Sequence, residues 1–281
     1  MTWIQGNMFK GLTKWHYAPA RLFTNNAYRN GMNNLPVTDY RYLANTVDFA
    51  QLKDGDVIYT HTFYADQLFE KLEKLSAQFT VVTHNCDTPA DFPPPDNVMW
   101  FTTNVNIRHG NLKSIPIGIE NDLWLKDKKE QMLRKLEKPP KFKNLIYCNH
   151  NIKTNPKQRQ KPYDVLSGER WATVQFGANG SGFDIYLNNI YNHPFVVCPE
   201  GNGIDTHRVW ECLYVGTIPV VAKNINNSFY EDLPILFLDS WEQMEEKFLY
   251  DSYMQIRSKY WNLEKLEFEY WKDEIMGNPR T

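Results

Sequence analysis

An α/β fold with two successive units, each built on a parallel sheet, follows from three observations. Short apolar runs alternate with stretches of helical spacing, the pattern starts afresh after Pro139-Pro140, and hydrophobic residues at 42% with charged residues at 23% describe a chain ordered throughout. In the first half, Asp56 to Thr60 reads as a strand. Ala65 to Leu75 is a helix, with Leu68, Phe69, Leu72 and Leu75 at helical intervals, and Phe79 to His84 is a strand again. Val98 to Thr103 and Leu112 to Ile119 add two more strands. Lys126 to Lys138 is a basic helix stopped by the two prolines, and a solvated linker explains it better than a membrane or nucleic-acid patch.

The second half opens with the strand Asn144 to Cys148. Trp171 to Phe176 is a strand, Ile185 to Tyr191 a helix, Phe195 to Cys198 a strand, Val209 to Val215 a helix, and Ile218 to Ala222 and Ile235 to Leu238 are strands. Gln255 to Met276 carries Ile256, Tyr260, Leu263, Leu266 and Tyr270 at helical intervals and reads as one or two helices. The boundary between units falls near residue 140. At 281 residues the chain is long enough for both.

Phe195 to Val221 carries the clearest chemistry. Gly201 and Gly203 let backbone approach a ligand, and the helix that opens at Asp205-Thr206-His207-Arg208 points its N–H groups and positive dipole end at it. Arg208 adds a forked permanent cation suited to a diphosphate, and Glu211, one turn on, can accept from sugar hydroxyls. These residue types together fit a nucleotide sugar. A plain reading stands beside this one, in which Asp205 or Thr206 is an N-cap and Arg208 and Glu211 form a surface pair. Thr206 stands where the dinucleotide fingerprint needs its third glycine, which disfavours a nicotinamide oxidoreductase.

Pro199-Glu200-Gly201, Arg208, Glu211-Cys212-Leu213 and Gly216-Thr217-Ile218-Pro219-Val220 resemble the donor-binding segment of exostosin-like glycosyltransferases over roughly thirty residues. The resemblance implies a GT-B fold: two Rossmann-like domains facing each other across a central cleft, with a C-terminal helix crossing back to the first. Residues 1–140 would then be the acceptor domain, 141–254 the nucleotide-sugar domain and 255–281 the returning helix. It implies Thr206 as the hydroxyl residue, Arg208 as the diphosphate arginine and Glu211 as the ribose carboxylate, with Glu200, Asn202, Asp205 and His207 in the same segment. Family members from large algal viruses are short and cytosolic, and likeness to these implies inverting transfer from UDP-xylose to a glycan hydroxyl, such as the fucose of a viral capsid N-glycan. A GDP-sugar enzyme of fucosyltransferase type and a non-catalytic carbohydrate-binding protein are the alternatives.

Chemistry in open α/β sheets sits in loops after strands. An inverting transfer needs a base for the acceptor hydroxyl, and His84-Asn85-Cys86-Asp87 offers Asp87 first and His84 second. His61, after the preceding strand, is the third candidate, and Tyr64 borders the acceptor. Pro116-Ile117-Gly118-Ile119-Glu120-Asn121 resembles a segment of cytosolic family members and brings Glu120 and Asn121 to the cleft. Asn151, Thr154 and Arg159, in the loop opening the second unit, are read as further diphosphate donors. For Asp87, His84, Glu120 and Asn121 the competing reading is a cap, a turn or a backbone bond, and for His61 a structural role.

Composition and remaining motifs bound the rest. With 31 basic and 33 acidic residues, the net charge of −2 gives no reason to expect nucleic acid. The start of the chain lacks a signal-peptide core and no window is apolar enough to span a bilayer, so a cytoplasmic protein with no membrane partner is expected. Cys86, Cys148, Cys198 and Cys212 lack zinc spacing and are expected to be free thiols. Asn179-Gly180-Ser181 and Asn226-Asn227-Ser228 match the glycosylation triplet, which a cytosolic chain does not use. Asp54-Gly55-Asp56 leads into a strand instead of following one, so it reads as a turn, and activity without a metal or other cofactor is expected. Oligomeric state leaves no trace in the sequence.

Overall fold

The computed structural model describes residues 2–17, 47–121, 127–176 and 182–277. Lys126, the expected first residue of the basic helix, and the Asn179-Gly180-Ser181 triplet lie outside them. By contacts the chain forms two compact units, one of Met1–Trp124 with Glu267–Thr281 and one of Leu125–Leu266. Each contains a five-stranded parallel sheet, so the chain is α/β in both halves.

Unit 1 opens with helix α1 (Gly6–Gly11) and strand β1 (Trp15–His16), then β2 (Val57–Thr60), helix α2 (Ala65–Leu72), β3 (Phe79–Thr83), β4 (Val98–Thr102) and β5 (Leu112–Ser114). The strands lie side by side in chain order. Helix α2 buries Ala65, Leu68, Phe69 and Leu72, the i, i+3, i+4, i+7 stripe that makes a helix of this segment. At the carboxyl ends Thr60, Thr83, Thr102 and Ser114 stand in register, and all four are buried. Thr83 Oγ1 donates to Thr102 Oγ1 at 2.5 Å and accepts from Trp100 Nε1 at 3.0 Å, while Thr60 Oγ1 donates to Tyr17 O at 2.9 Å.

The expected strand from Leu112 to Ile119 stops at Ser114. Pro116 has no N–H for a ladder, and Gly118 turns at φ 68° where an added Cβ would lie 2.2 Å from the Ile4 carbonyl oxygen. That turn lets Ile119 N donate to Ile4 O at 2.9 Å, closing the chain start against this loop. Asp54-Gly55-Asp56 is a turn with Gly55 at φ 81°; Asp54 Oδ1 accepts from Gln78 N at 2.8 Å, and Asp56 Oδ2 from Lys53 N and Trp15 Nε1.

Unit 2 begins with α3 (Lys128–Leu136), followed by β6 (Ile146–His150), α4 (Pro156–Leu166), β7 (Ala172–Phe176), α5 (Phe183–Tyr191), β8 (Phe195–Val197), α6 (His207–Tyr214), β9 (Ile218–Ala222), β10 (Leu236–Leu238) and α7 (Glu246–Ser258). Its sheet runs β10-β9-β8-β6-β7. Ile146, Cys148, Phe195, Val197, Ile218, Val220, Leu236 and Leu238 form one packed face with Leu166, Trp241, Leu249 and Ile256. Burying these side chains is the main stabilisation of the unit, at about 25 cal/mol per Å² of apolar surface removed from water.

The stretch expected as one or two helices from Gln255 to Met276 is broken between Lys259 and Leu263, and α8 (Phe268–Met276) belongs to unit 1. There Phe268 packs edge-on against Phe9 at 5.3 Å, Phe268 N donates to Thr2 O, and Glu274 lies 3.6 Å from Lys113. No helix among the described residues is long and apolar enough to cross a membrane.

Candidate functional site

In unit 2 the chain leaves β6 for β7 on one side and then returns to β8 on the other, so strand order reverses between β6 and β8. Loops leaving adjacent strands in opposite directions open a crevice at their carboxyl ends. The loop after β6 runs from Asn151 to Asn155 and ends in α4, which starts as the sequence dictates: Asn155 caps it, with Oδ1 accepting from Gln158 N, and Pro156 follows at the first position. Asn155 Nδ2 donates to Gly201 O at 2.9 Å, tying this loop to the one after β8. Arg159, on the first turn of α4, fixes the same joint. Its Nε donates to Glu200 O at 2.7 Å and its Nη1 to Asn151 O at 3.0 Å. A Cβ at position 201 would stand 2.8 Å from Arg159 Nη2, so glycine is what lets the guanidinium lie there.

Helix α6 starts at His207 after an extended Thr206. Asp205 anchors that start, accepting from Thr206 N at 2.9 Å and from Trp210 Nε1 at 3.0 and 2.9 Å. Thr206 occupies the capping position but makes no side-chain cap, and its Oγ1 is buried without a hydrogen-bond partner among the described residues. Arg208 Nη1 is in the same condition. A buried unsatisfied donor costs about 1–3 kcal/mol, and two such groups stand within three residues at this helix start. Arg208 Nε donates to Tyr186 Oη at 3.3 Å with the guanidinium 5.3 Å from the ring centre, and Tyr186 Oη donates to Glu211 Oε2 at 2.6 Å.

Neither guanidinium has a carboxylate partner among the described residues; Arg159 is held by carbonyls and Arg208 by a phenol. Burial, and then the charge of Arg208, holds the pKa of Arg159 below the usual guanidinium value. The floor beneath them is neutral. His150 Nε2 donates to Arg159 O at 2.7 Å, and burial, helped by both arginine charges, pushes its pKa down to about 4. Cys148, with Sγ 3.8 Å from His150 Nδ1, is pushed by burial up to about 12. All four cysteines are free thiols. Two cations without a direct carboxylate partner, an orphan hydroxyl and a helix N-terminus suit multiply charged oxyanions.

Some residues read from sequence as donors are used differently. Asn151 contributes its carbonyl, because its Oδ1 accepts from Lys153 N. Thr154 is exposed, and only its backbone N–H is engaged, with Asn151 O. The carboxylate of Asp205 is spent on Trp210, and Glu200 Oε1 accepts from Asn224 Nδ2 at 3.0 Å while burial raises its pKa. Gly203 is buried, with its carbonyl accepting from Gly201 N; Asn202 is exposed and His207 half-buried. Glu211 is buried with one oxygen on Tyr186. Tyr186 and Asn224 are not legible as site residues, since they come from 22 positions before Arg208 and 24 after Glu200. Asn155 is: Asn-Pro ahead of a helix is a capping signature.

In unit 1 the loops after β2 and β3 converge. His84 is buried, stacked on Phe9 at 5.1 Å, with Nε2 donating to Pro116 O at 3.0 Å and Nδ1 accepting from Asn85 N at 2.7 Å. Both ring nitrogens are therefore committed. Asn85, at φ 55°, joins a closed ring of amides: Asn7 N to Asn121 Oδ1 at 2.8 Å, Asn121 Nδ2 to Asn85 Oδ1 at 3.1 Å, Asn85 Nδ2 to Asn7 Oδ1 at 3.2 Å. His61 lies with Nδ1 3.1 Å from His84 O, its ring stacked on Phe63, and burial pushes its pKa to about 4. Tyr64 is buried against Phe63, and Glu120 is half-buried. Asp87 is exposed, and its carboxylate has no bond to another described side chain.

No protein-family model and no curated protein matches this sequence. Among solved structures it is similar to an alpha,alpha-trehalose-phosphate synthase (UDP-forming) from Burkholderia vietnamiensis, at 12% identity over 90% of this chain and 72% of that one, with a TM-score of 0.36. A likeness so distant carries no weight for activity.

Proposed function

We propose that the chain is a GT-B glycosyltransferase that moves a sugar from a nucleoside diphosphate to a glycan hydroxyl with inversion and without a divalent metal. The observation that supports it is the pair of guanidiniums with no directly paired carboxylate, Arg159 and Arg208, at the strand-order reversal of unit 2. As the bond from anomeric carbon to diphosphate oxygen breaks, negative charge grows on the leaving group, and donors already aimed at that charge stabilise it without reorganising. Overall likeness to the short algal-virus family members, and no single residue, adds UDP as the nucleotide and xylose as the sugar.

Inversion requires the acceptor oxygen to attack opposite the leaving diphosphate while its proton passes to a base. We assign the base to Asp87. The one lone pair of His84 is taken by Asn85 N and its Nε2–H by Pro116 O, and His61 Nδ1 lies against the His84 carbonyl, whereas the Asp87 carboxylate is exposed. Incubation with UDP-xylose and a fucose-bearing glycan in EDTA is expected to release UDP and extend the glycan. Asp87→Asn is expected to slow transfer by about 10²–10⁴-fold while leaving donor affinity unchanged. Release of neither UDP nor GDP from their sugar donors with any glycan would leave a binding protein instead of an enzyme; normal transfer by Asp87→Asn would remove Asp87 from the mechanism.

A further inference from the structure

Arg208 and Glu211 stand three residues apart on α6, a spacing at which opposite charges normally meet. They do not pair. The hydroxyl of Tyr186, from α5, stands between them, accepting from Arg208 Nε at 3.3 Å and donating to Glu211 Oε2 at 2.6 Å, with its ring 5.3 Å from the guanidinium. A phenol offers one proton and a lone pair, and here each is used once. Burial, and then the Glu211 charge, keep that proton on Tyr186. The outcome is that Arg208 is oriented but not neutralised, and its buried Nη1 has no hydrogen-bond partner among the described residues.

We propose that Tyr186 is a positioning residue whose hydroxyl keeps Glu211 off Arg208, so that the guanidinium presents an unspent face and full charge to a ligand diphosphate. This rests on the diphosphate reading of the site given above. Without the hydroxyl, the Glu211 carboxylate loses its donor, and a buried carboxylate must find another or pay its desolvation. Arg208 offers a cation one turn back on the same helix. Once paired, Arg208 would have to exchange a carboxylate for a phosphate instead of meeting the phosphate freely.

Inorganic pyrophosphate is the probe, because it has no ribose and so reports on Arg208 independently of any sugar contact by Glu211. Calorimetric titration is expected to show Tyr186→Phe binding pyrophosphate about 10- to 100-fold more weakly than the unaltered protein, the worth of one charge-assisted hydrogen bond. Tyr186→Phe/Glu211→Gln is expected to recover affinity to within about threefold, since the competing charge is gone. Glu211→Gln alone is expected to bind at least as tightly as the unaltered protein, which keeps the test intact should Tyr186→Phe fail to fold. Unaltered affinity in Tyr186→Phe, no recovery in the double variant, or tenfold weaker binding in Glu211→Gln would each overturn the role of Tyr186 and leave the diphosphate site standing. Binding of neither pyrophosphate nor UDP by the unaltered protein would overturn the site itself.

Discussion

Arg208→Ala is expected to weaken UDP binding at least about 100-fold and to abolish transfer with it. A guanidinium that meets a diphosphate makes at least one charge-assisted hydrogen bond of about 1.5–3 kcal/mol and adds a Coulomb attraction strengthened by partial burial. Arg208 has no other anionic partner on which its charge is already spent, so nearly all of that energy is available to the ligand. Arg208→Lys is expected to fall between the two, because an ammonium keeps the charge and loses the planar fork. Equilibrium dialysis against UDP, with circular dichroism to show that the variants are folded, makes the measurement. UDP affinity in Arg208→Ala equal to that of the unaltered protein would place the phosphates elsewhere.

Acid is expected to destabilise the protein well before its carboxylates are protonated. His16, His61 and His150 each have a pKa pushed from 6.5 to about 4, in every case chiefly by burial. In the unfolded chain each takes up a proton near pH 6.5; in the folded chain each resists until about pH 4. The stability they contribute as neutral rings is therefore whole above about pH 6.5 and lost as the pH falls toward 4. A displacement of this size is worth roughly 3 kcal/mol per histidine, and the three together give a slope of up to about 4 kcal/mol per pH unit. Glu200, whose pKa is raised by burial, works in the opposite sense and offsets a small part. His16 and His61 lie in unit 1 and His150 in unit 2, so both units should weaken. Urea unfolding followed by tryptophan fluorescence at pH 7 and pH 5 is expected to show a drop of several kcal/mol. Identical midpoints at the two pH values would contradict the burial of these rings.

What the sequence disclosed follows from how local each signal is. Strands β6, β8 and β9 are covered on both faces and read as continuous apolar runs, which is why Ile146, Phe195 and Ile218 could be placed at once. The glycine loop and Arg208 were legible because a phosphate site needs glycine and a forked cation close together in sequence. Strand β1 was not, since two residues make no pattern. The basic helix α3 read as a linker because most of its surface is charged. Its Met132 is buried and its Lys135 reaches Asn188 Oδ1 at 3.3 Å and Asp184 at 3.7 Å on α5, contacts that group it with unit 2. At the other end Phe268, Trp271 and Ile275 bury themselves in unit 1 while Ile256 stays with the unit 2 core. Tyr186 could not be read as a site residue, because only the packing of α5 against α6 brings its hydroxyl to Arg208.

Calorimetric titration of the unaltered protein with UDP, UMP and uridine in turn tests most directly whether the crevice at β6 and β8 holds a diphosphate. Affinity is expected to depend on the phosphates, with UMP at least about tenfold weaker than UDP and uridine weaker still, since each phosphate lost removes charge-assisted bonds to Arg159, Arg208 or the start of α6. Equal affinity for UDP and uridine, or no binding of either UDP or GDP, would contradict it.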